Sequence, residues 1–525
     1  MVAGQQALPA AGARPRVTLL RASVVLLSVA AVSKLTTIAA DSYVAAKFGL
    51  SADADVYLLA IGLIGVLLGA PGETLRLSVV PICGERLRAG DQRRAAGVVA
   101  LALLSVVVLG GLATLALAGA MPWIAPVAAP GFGGAELAKL VDLSRVLAPA
   151  LVLGLVMALL LGVLHAQLRF GVPAIAGIGL GAGVIGAGVL LGGRLGVTAL
   201  ALGYVAGSGG VVLVLAWLSR GLWREGVALR AAAGEVRPFL RLALPTGFAL
   251  SIVSAGAFLE RAIASATGAG NVAALGYAIK LITQAGIVSQ SIWTPLTPLL
   301  TASGASSERE GDGRLVPFSL RLILLVLVPA TAVLIALREP LVAVIFQRGA
   351  FTAADTGRTA TLLALHSGSL VGVGLFMVAV AALLSFRDAK TRLVASALFL
   401  ASKVALMGAL APAMGVDGVA LASSVSSLLA GAYAVHILAR RFSAAERSAL
   451  LAFGAKTALG ALVAFGAALP FAELSGGSLA SDLLRLAGGT LAAALAYLMA
   501  LKLLGVTEID ALFSQLRLWL RQGTR

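Results

Sequence analysis

The sequence predicts an all-α polytopic membrane protein, with about 14 transmembrane helices in two six-helix lobes plus two C-terminal helices. Three observations predict it. Apolar stretches of about twenty residues recur from Val17 to Leu504. At about 1.5 Å per residue, each is long enough to cross the roughly 30 Å hydrocarbon core of a bilayer as a helix. Second, 60% of the 525 residues are hydrophobic and 12% charged, with a mean hydropathy of +1.01; no soluble domain has that balance. Third, arginine and lysine collect in alternate connectors, as they do when charge orients a chain in a membrane.

The spans are expected in order at 18–40, 56–80, 96–118, 145–165, 173–192, 197–218, 240–266, 273–300, 316–337, 359–384, 393–412, 417–438, 452–471 and 484–504. The first run is too long for a signal peptide and lacks a small-residue cleavage site, so it reads as a span. The second carries Pro71, Glu73 and Arg76, and Gly69, Pro71 and Gly72 invite a kink. After the third, 121–144 reads as a turn and a short amphipathic helix, with Ala135, Leu137, Leu140, Val141 and Leu143 on the membrane interface. The connector 219–239 separates spans six and seven. The expected division is therefore an N-terminal lobe (1–218), a cytoplasmic linker (219–239), a C-terminal lobe (240–438), and spans thirteen and fourteen with a cytoplasmic tail (439–525).

With the N-terminus inside, the cytoplasmic connectors hold Arg86, Arg88, Arg93 and Arg94, then Arg220 to Arg241, then Arg387, Lys390 and Arg392, then Arg440, Arg441 and Arg447. Roughly 24 basic residues fall inside and roughly 8 outside, which places both termini in the cytoplasm and requires an even number of spans. The net charge of +17 is thereby explained without nucleic acid. The single cysteine, Cys83, excludes an internal disulfide and a cysteine metal cluster.

Charges inside a membrane are costly, so each is a functional candidate. Lys34 lies in span one, Glu73 and Arg76 in span two, Glu260 and Arg261 in span seven, Lys280 in span eight and Lys403 in span eleven. Counted from the outer ends, Lys34, Glu260 and Lys280 sit at about 10 Å depth, which suggests one shared hydrated cavity; the alternative is snorkelling to the outer interface. Glu73 and Arg76, at i and i+3, either neutralise each other near the inner face or serve a gate. Lys403 is left without a role. The outer connectors offer Asp41, Asp53, Glu136 and Asp355 without a convergent partner, which argues against a membrane glycosyltransferase. His165, His366 and His436 lack metal-ligand spacing and no P-loop is present, so neither an enzyme, a metal nor a cofactor is expected.

Several stretches carry a family resemblance. FQRGAFTAAD (346–355), APGF (129–132), LHAQLRFGVPAIA (164–176), SFRDAKT (385–391) and GLSADADVYLLA (49–60), with Asp55 at its acidic position, occur in an order that resembles the MurJ/MviN lipid II flippases of the multidrug/oligosaccharidyl-lipid/polysaccharide exporter superfamily. The resemblance implies a bacterial inner-membrane flippase that turns an undecaprenyl-pyrophosphate-linked sugar from the inner to the outer leaflet by alternating access. It implies a cavity lined by spans one, two, seven and eight, a lipid-tail groove at spans thirteen and fourteen, and cell-wall or polysaccharide synthesis machinery as partners. The family's cavity arginines fall on Lys34, Ala40, the neighbourhood of Leu67 and Leu68, and Lys280. Lys34 and Lys280 are therefore expected to hold the anionic head group, with Glu260, Arg261 and Asp55 as further binding candidates. Lysine keeps the charge but loses the bidentate grip of arginine. That departure leaves an exopolysaccharide or another lipid-linked glycan as an alternative substrate. A drug antiporter of the same superfamily is more distant, since only 5% of residues are aromatic and the expected cavity is cationic.

Overall fold

The computed structural model describes residues 15–167, 169, 173–286, 312–385, 389–474 and 476–506. Regular structure among the described residues is wholly helical. The helices are α1 (Pro15–Phe48), α2 (Ala52–Arg88), α3 (Gln92–Ala128), α4 (Gly134–Leu147), α5 (Pro149–Ala166), α6 (Pro173–Leu195), α7 (Val197–Ser219), α8 (Leu229–Ala232), α9 (Val236–Ser265) and α10 (Asn271–Ala285). They continue with α11 (Asp312–Ala336), α12 (Arg338–Phe346), α13 (Ala353–His366), α14 (Gly368–Ser385), α15 (Ala389–Met414), α16 (Val416–Ala439), α17 (Ala444–Ala472) and α18 (Leu479–Leu503).

Among the described residues, 11 helical segments are long and apolar enough to cross a membrane. Helices α1, α9 and α10 stand at the three other expected spans, so the architecture is consistent with fourteen. The expected stretch 287–300, residues 386–388 of SFRDAKT and the tail from 507 lie outside the described residues.

Several expected spans are jointed. The fourth is α4 followed by α5, which meet at Ala148 where Pro149 opens the second helix; proline lacks the N–H that would continue the ladder and is preformed for a first turn. Pro71 and Pro81, by contrast, are carried inside one uninterrupted α2. The short helix expected in 121–144 is α4, but its apolar face is not at the lipid interface. Leu140 and Leu143 are 0% and 1% exposed. The helix continues into α5 and lies against α2, so its leucines fill the protein core.

In the first half, α6 pairs with α7 and with α1, and α5 packs against α2 and α7. In the second, α16 packs on α14 and α15, and α10 on α13. Helices α17 and α18 pair with each other, and Tyr497 on α18 donates a 2.9 Å hydrogen bond to the Leu325 carbonyl on α11. Small residues permit these close approaches. The linker is tied to the α2–α3 turn: Glu235 pairs with Arg86, and the Ala228 N–H donates to the Arg93 carbonyl at 3.1 Å.

Candidate functional site

The two halves of the chain pack along α2 and α9, and they meet again at the end of the bundle where α1 turns into α2 at Gly49. Helix α1 runs through YVAAKF, good helix-forming sequence, and stops at Gly49, whose φ is +54°. Asp41, expected in a connector, therefore lies inside α1 instead.

The outermost contact joins this turn to the FQRGAFTAAD stretch. The Ala350 N–H donates to the Ala46 carbonyl at 2.8 Å. Gly349 has φ +57°, and a Cβ there would sit 2.3 Å from the Ala46 oxygen, so only glycine permits the approach. Phe346 and Phe351 enclose Tyr277 of α10, with ring centroids 4.9 and 5.7 Å from it. Such tilted and edge-on ring pairs add about 0.5–1.5 kcal/mol to simple burial. Thr352 and Asp355 form a capping box that starts α13, with bonds of 3.3 and 2.8 Å. Gly349, Ala350 and the two phenylalanines of that stretch thus build the closure, and Thr352 and Asp355 start the helix that follows it.

Asp55 forms the second contact. It is 2% exposed and accepts hydrogen bonds from the backbone N–H of Gly270 at 2.5 Å and of Ala273 at 2.6 Å. Gly270 is the N-cap of α10 and has no side chain to serve its own helix. Asp55, arriving from α2, supplies the missing cap and a negative charge at the positive end of the helix. The position expected to bind substrate is therefore occupied by the protein's own backbone.

About three turns below this closure lies a layer of charge. Lys280 on α10 pairs with Asp41 on α1. Lys34 lies seven residues before Asp41, on the same face of α1 and about 10 Å deeper. It is half-buried and forms no ion pair among the described residues. Arg261 reaches from α9 onto α2, where a Cβ on Gly62 would lie 2.3 Å from its Nε.

Glu260 does not join them. It is 3% exposed, turned into the second half of the chain. There it accepts from Lys403 Nζ at 2.8 Å and Ser423 Oγ at 2.8 Å, and lies 2.6 Å from His366 Nε2. Ser369 Oγ sits 2.9 Å from the other ring nitrogen. A carboxylate this deep persists only when its oxygens are paired, and α13, α15 and α16 supply the partners. The expectation that Lys34, Glu260 and Lys280 share one depth and one cavity is thus corrected: Glu260 is turned into the second half, and Lys34 lies about 10 Å below Lys280 because α1 runs on to Phe48. Sequence reading missed His366 and Ser423 as partners; the available signal was that mid-span Lys403 and Glu260 each needed an opposite charge. Glu73 and Arg76 pair on one face of α2, Nε to Oε2 at 2.9 Å, each partly exposed.

This architecture, a jointed bundle of membrane-length helices whose halves are tied together at one end, is that of a multi-pass membrane protein. A structure of "Lipid II flippase MurJ, inward closed conformation" superposes with a TM-score of 0.73 over 91% of this chain and 98% of that one, at 18% identity. An inward-facing multidrug-resistance MATE transporter of the MOP superfamily gives 0.65 over 82% and 98%, at 16% identity. The family model for lipid II flippase MurJ matches residues 44–486, and the chain belongs to that family. The lipid II flippase MurJ of Burkholderia cenocepacia is 27% identical over 387 residues, 71% of this chain and 74% of that protein. The probable lipid II flippase MurJ of Vibrio cholerae is 26% identical over 431 residues, 78% and 81% respectively.

Proposed function

We propose that this protein is a flippase of the bacterial inner membrane that carries lipid II, an undecaprenyl-pyrophosphate-linked sugar, from the inner to the outer leaflet by alternating access. In this reading the Gly49 end faces outside and both termini lie in the cytoplasm, which the distribution of basic connectors supports. Residues 1–218 and 240–438 act as the rocking lobes, with 439–525 alongside. One observation carries the reading: Lys280, and Lys34 about 10 Å deeper, lie below the contacts that join the halves at the Gly49 end. A pyrophosphate cannot enter hydrocarbon unaided, and cations in a hydrated cleft stabilise it. In an inward-open state the head group enters from the cytoplasmic side and stops at these lysines. Opening the Ala46–Ala350 and Asp55–Gly270 contacts releases it outward.

A second reading, another lipid-linked glycan as cargo, is favoured by Ala40, Leu67 and Leu68 standing where the family pattern has arginines. The test is rescue of a cell depleted of its own lipid II flippase, with Lys34→Ala and Lys280→Ala alongside. Rescue that fails in the lysine variants supports lipid II as substrate. No rescue by stably expressed wild-type protein moves the assignment to the second reading.

A further inference from the structure

Glu260 and Arg261 are consecutive, yet they serve opposite sides of α9. Three donors, from Lys403, Ser423 and His366, claim Glu260. The guanidinium next to it is left without a carboxylate: Arg261 forms no ion pair among the described residues, and its Nη1 donates only to the Ala257 carbonyl, at 2.9 Å. A half-buried cation with no ion-pair partner inside a membrane protein is costly, which makes it a candidate contact for an anionic ligand.

The position of that cation is fixed by packing. Helix α10 lies against α2 at Gly276, where an added Cβ would be 3.5 Å from Leu58 Cδ1. One turn deeper on both helices come Lys280 and Gly62. Arg261, lying on Gly62, therefore shares the level of Lys280 between α2, α9 and α10. Beneath Gly62 on the same face of α2, Gly65 and Gly69 are exposed, and a Cβ on Gly65 would meet nothing within 4 Å. Space is thus open beside Gly65, about one turn from the guanidinium. Lys280 is already held by Asp41, so Arg261 is the uncompensated charge of the two. Its planar fork matches two oxygens of a phosphate chain, which a lysine does not.

We propose that Arg261 is the specificity-determining contact for the pyrophosphate, gripping it bidentately from its seat on Gly62 and distinguishing diphosphate from monophosphate lipid carriers. This rests on the flippase reading above. The test uses full-length protein in nanodiscs, with binding of undecaprenyl pyrophosphate and undecaprenyl phosphate measured separately. Wild-type protein is expected to prefer the pyrophosphate. Arg261→Gln should lose pyrophosphate affinity by about tenfold or more while monophosphate binding stays within about threefold. Gly62→Ala, which keeps the charge but displaces the guanidinium, should show the same loss, and Arg261→Lys a partial one. If Arg261→Gln does not fold, Gly62→Ala and Arg261→Lys decide alone. Undiminished pyrophosphate binding in these variants overturns the role of Arg261 and leaves the flippase reading standing. Failure of the wild-type protein to bind either lipid overturns both.

Discussion

Replacing Asp55 with alanine should unlock the sealed end. Its carboxylate makes two charge-assisted bonds to backbone N–H groups, at 2.5 Å and 2.6 Å, across the boundary between the halves. Each bond to a buried donor is worth about 1–3 kcal/mol when its partner is deleted. Water entering the opened site recovers part of this, so the low end, about 2 kcal/mol for the pair, is the appropriate figure. That corresponds to a shift of about thirtyfold away from the closed arrangement. The assay is disulfide cross-linking between Ala46→Cys and Ala350→Cys, whose backbones are joined by a 2.8 Å hydrogen bond. The parent carries Cys83→Ser, which removes the only other thiol. The Asp55→Ala protein should cross-link far more slowly than its parent, with Asp55→Asn intermediate because it keeps one acceptor. Cross-linking at the parental rate in a folded Asp55→Ala protein would refute the idea that this cap holds the end shut.

Gly349→Ala should weaken the same closure, because the new Cβ meets the Ala46 carbonyl at 2.3 Å and the residue must hold φ +57°; slower cross-linking of the Ala46→Cys/Ala350→Cys pair checks it. Lys403→Met leaves buried Glu260 with only Ser423 and His366 as partners, at a cost of about 3 kcal/mol, the low end for a broken buried pair. The melting temperature should fall by several degrees, and the Glu260→Gln/Lys403→Met double variant should recover part of the loss. Lys280→Ala should abolish rescue of flippase-depleted cells without loss of folded protein, whereas Lys280→Arg should retain it, since either side chain pairs with Asp41 and offers charge to a phosphate.

The helical architecture was legible because hydrophobic length and the basic connectors are one-dimensional signals: α2, α3 and α16 stand where apolar runs stand. Lys34, Lys280 and Arg261 were legible as candidates for the same reason, being charges inside apolar runs. Their partners were not. Asp41 looked like a connector residue because the helix continuing past it is polar and Ala-rich rather than apolar. Asp55 read as a binding residue because no local pattern shows that Gly270, more than 200 positions away, starts a helix with no cap of its own. Glu260 faces inward rather than toward the lysines because one step along a helix turns a side chain by about 100°, and depth counted along the chain carries no azimuth. His366 and Ser423 complete that cluster from helices whose order around the bundle the sequence does not state.

The most direct measurement is flipping of fluorescent lipid II by the purified protein in liposomes, with the Lys34→Ala/Lys280→Ala protein in parallel. The account predicts movement between leaflets by the wild-type protein and none above empty liposomes by the double variant. Equal rates from both proteins, or no movement of lipid II by folded wild-type protein, would contradict it.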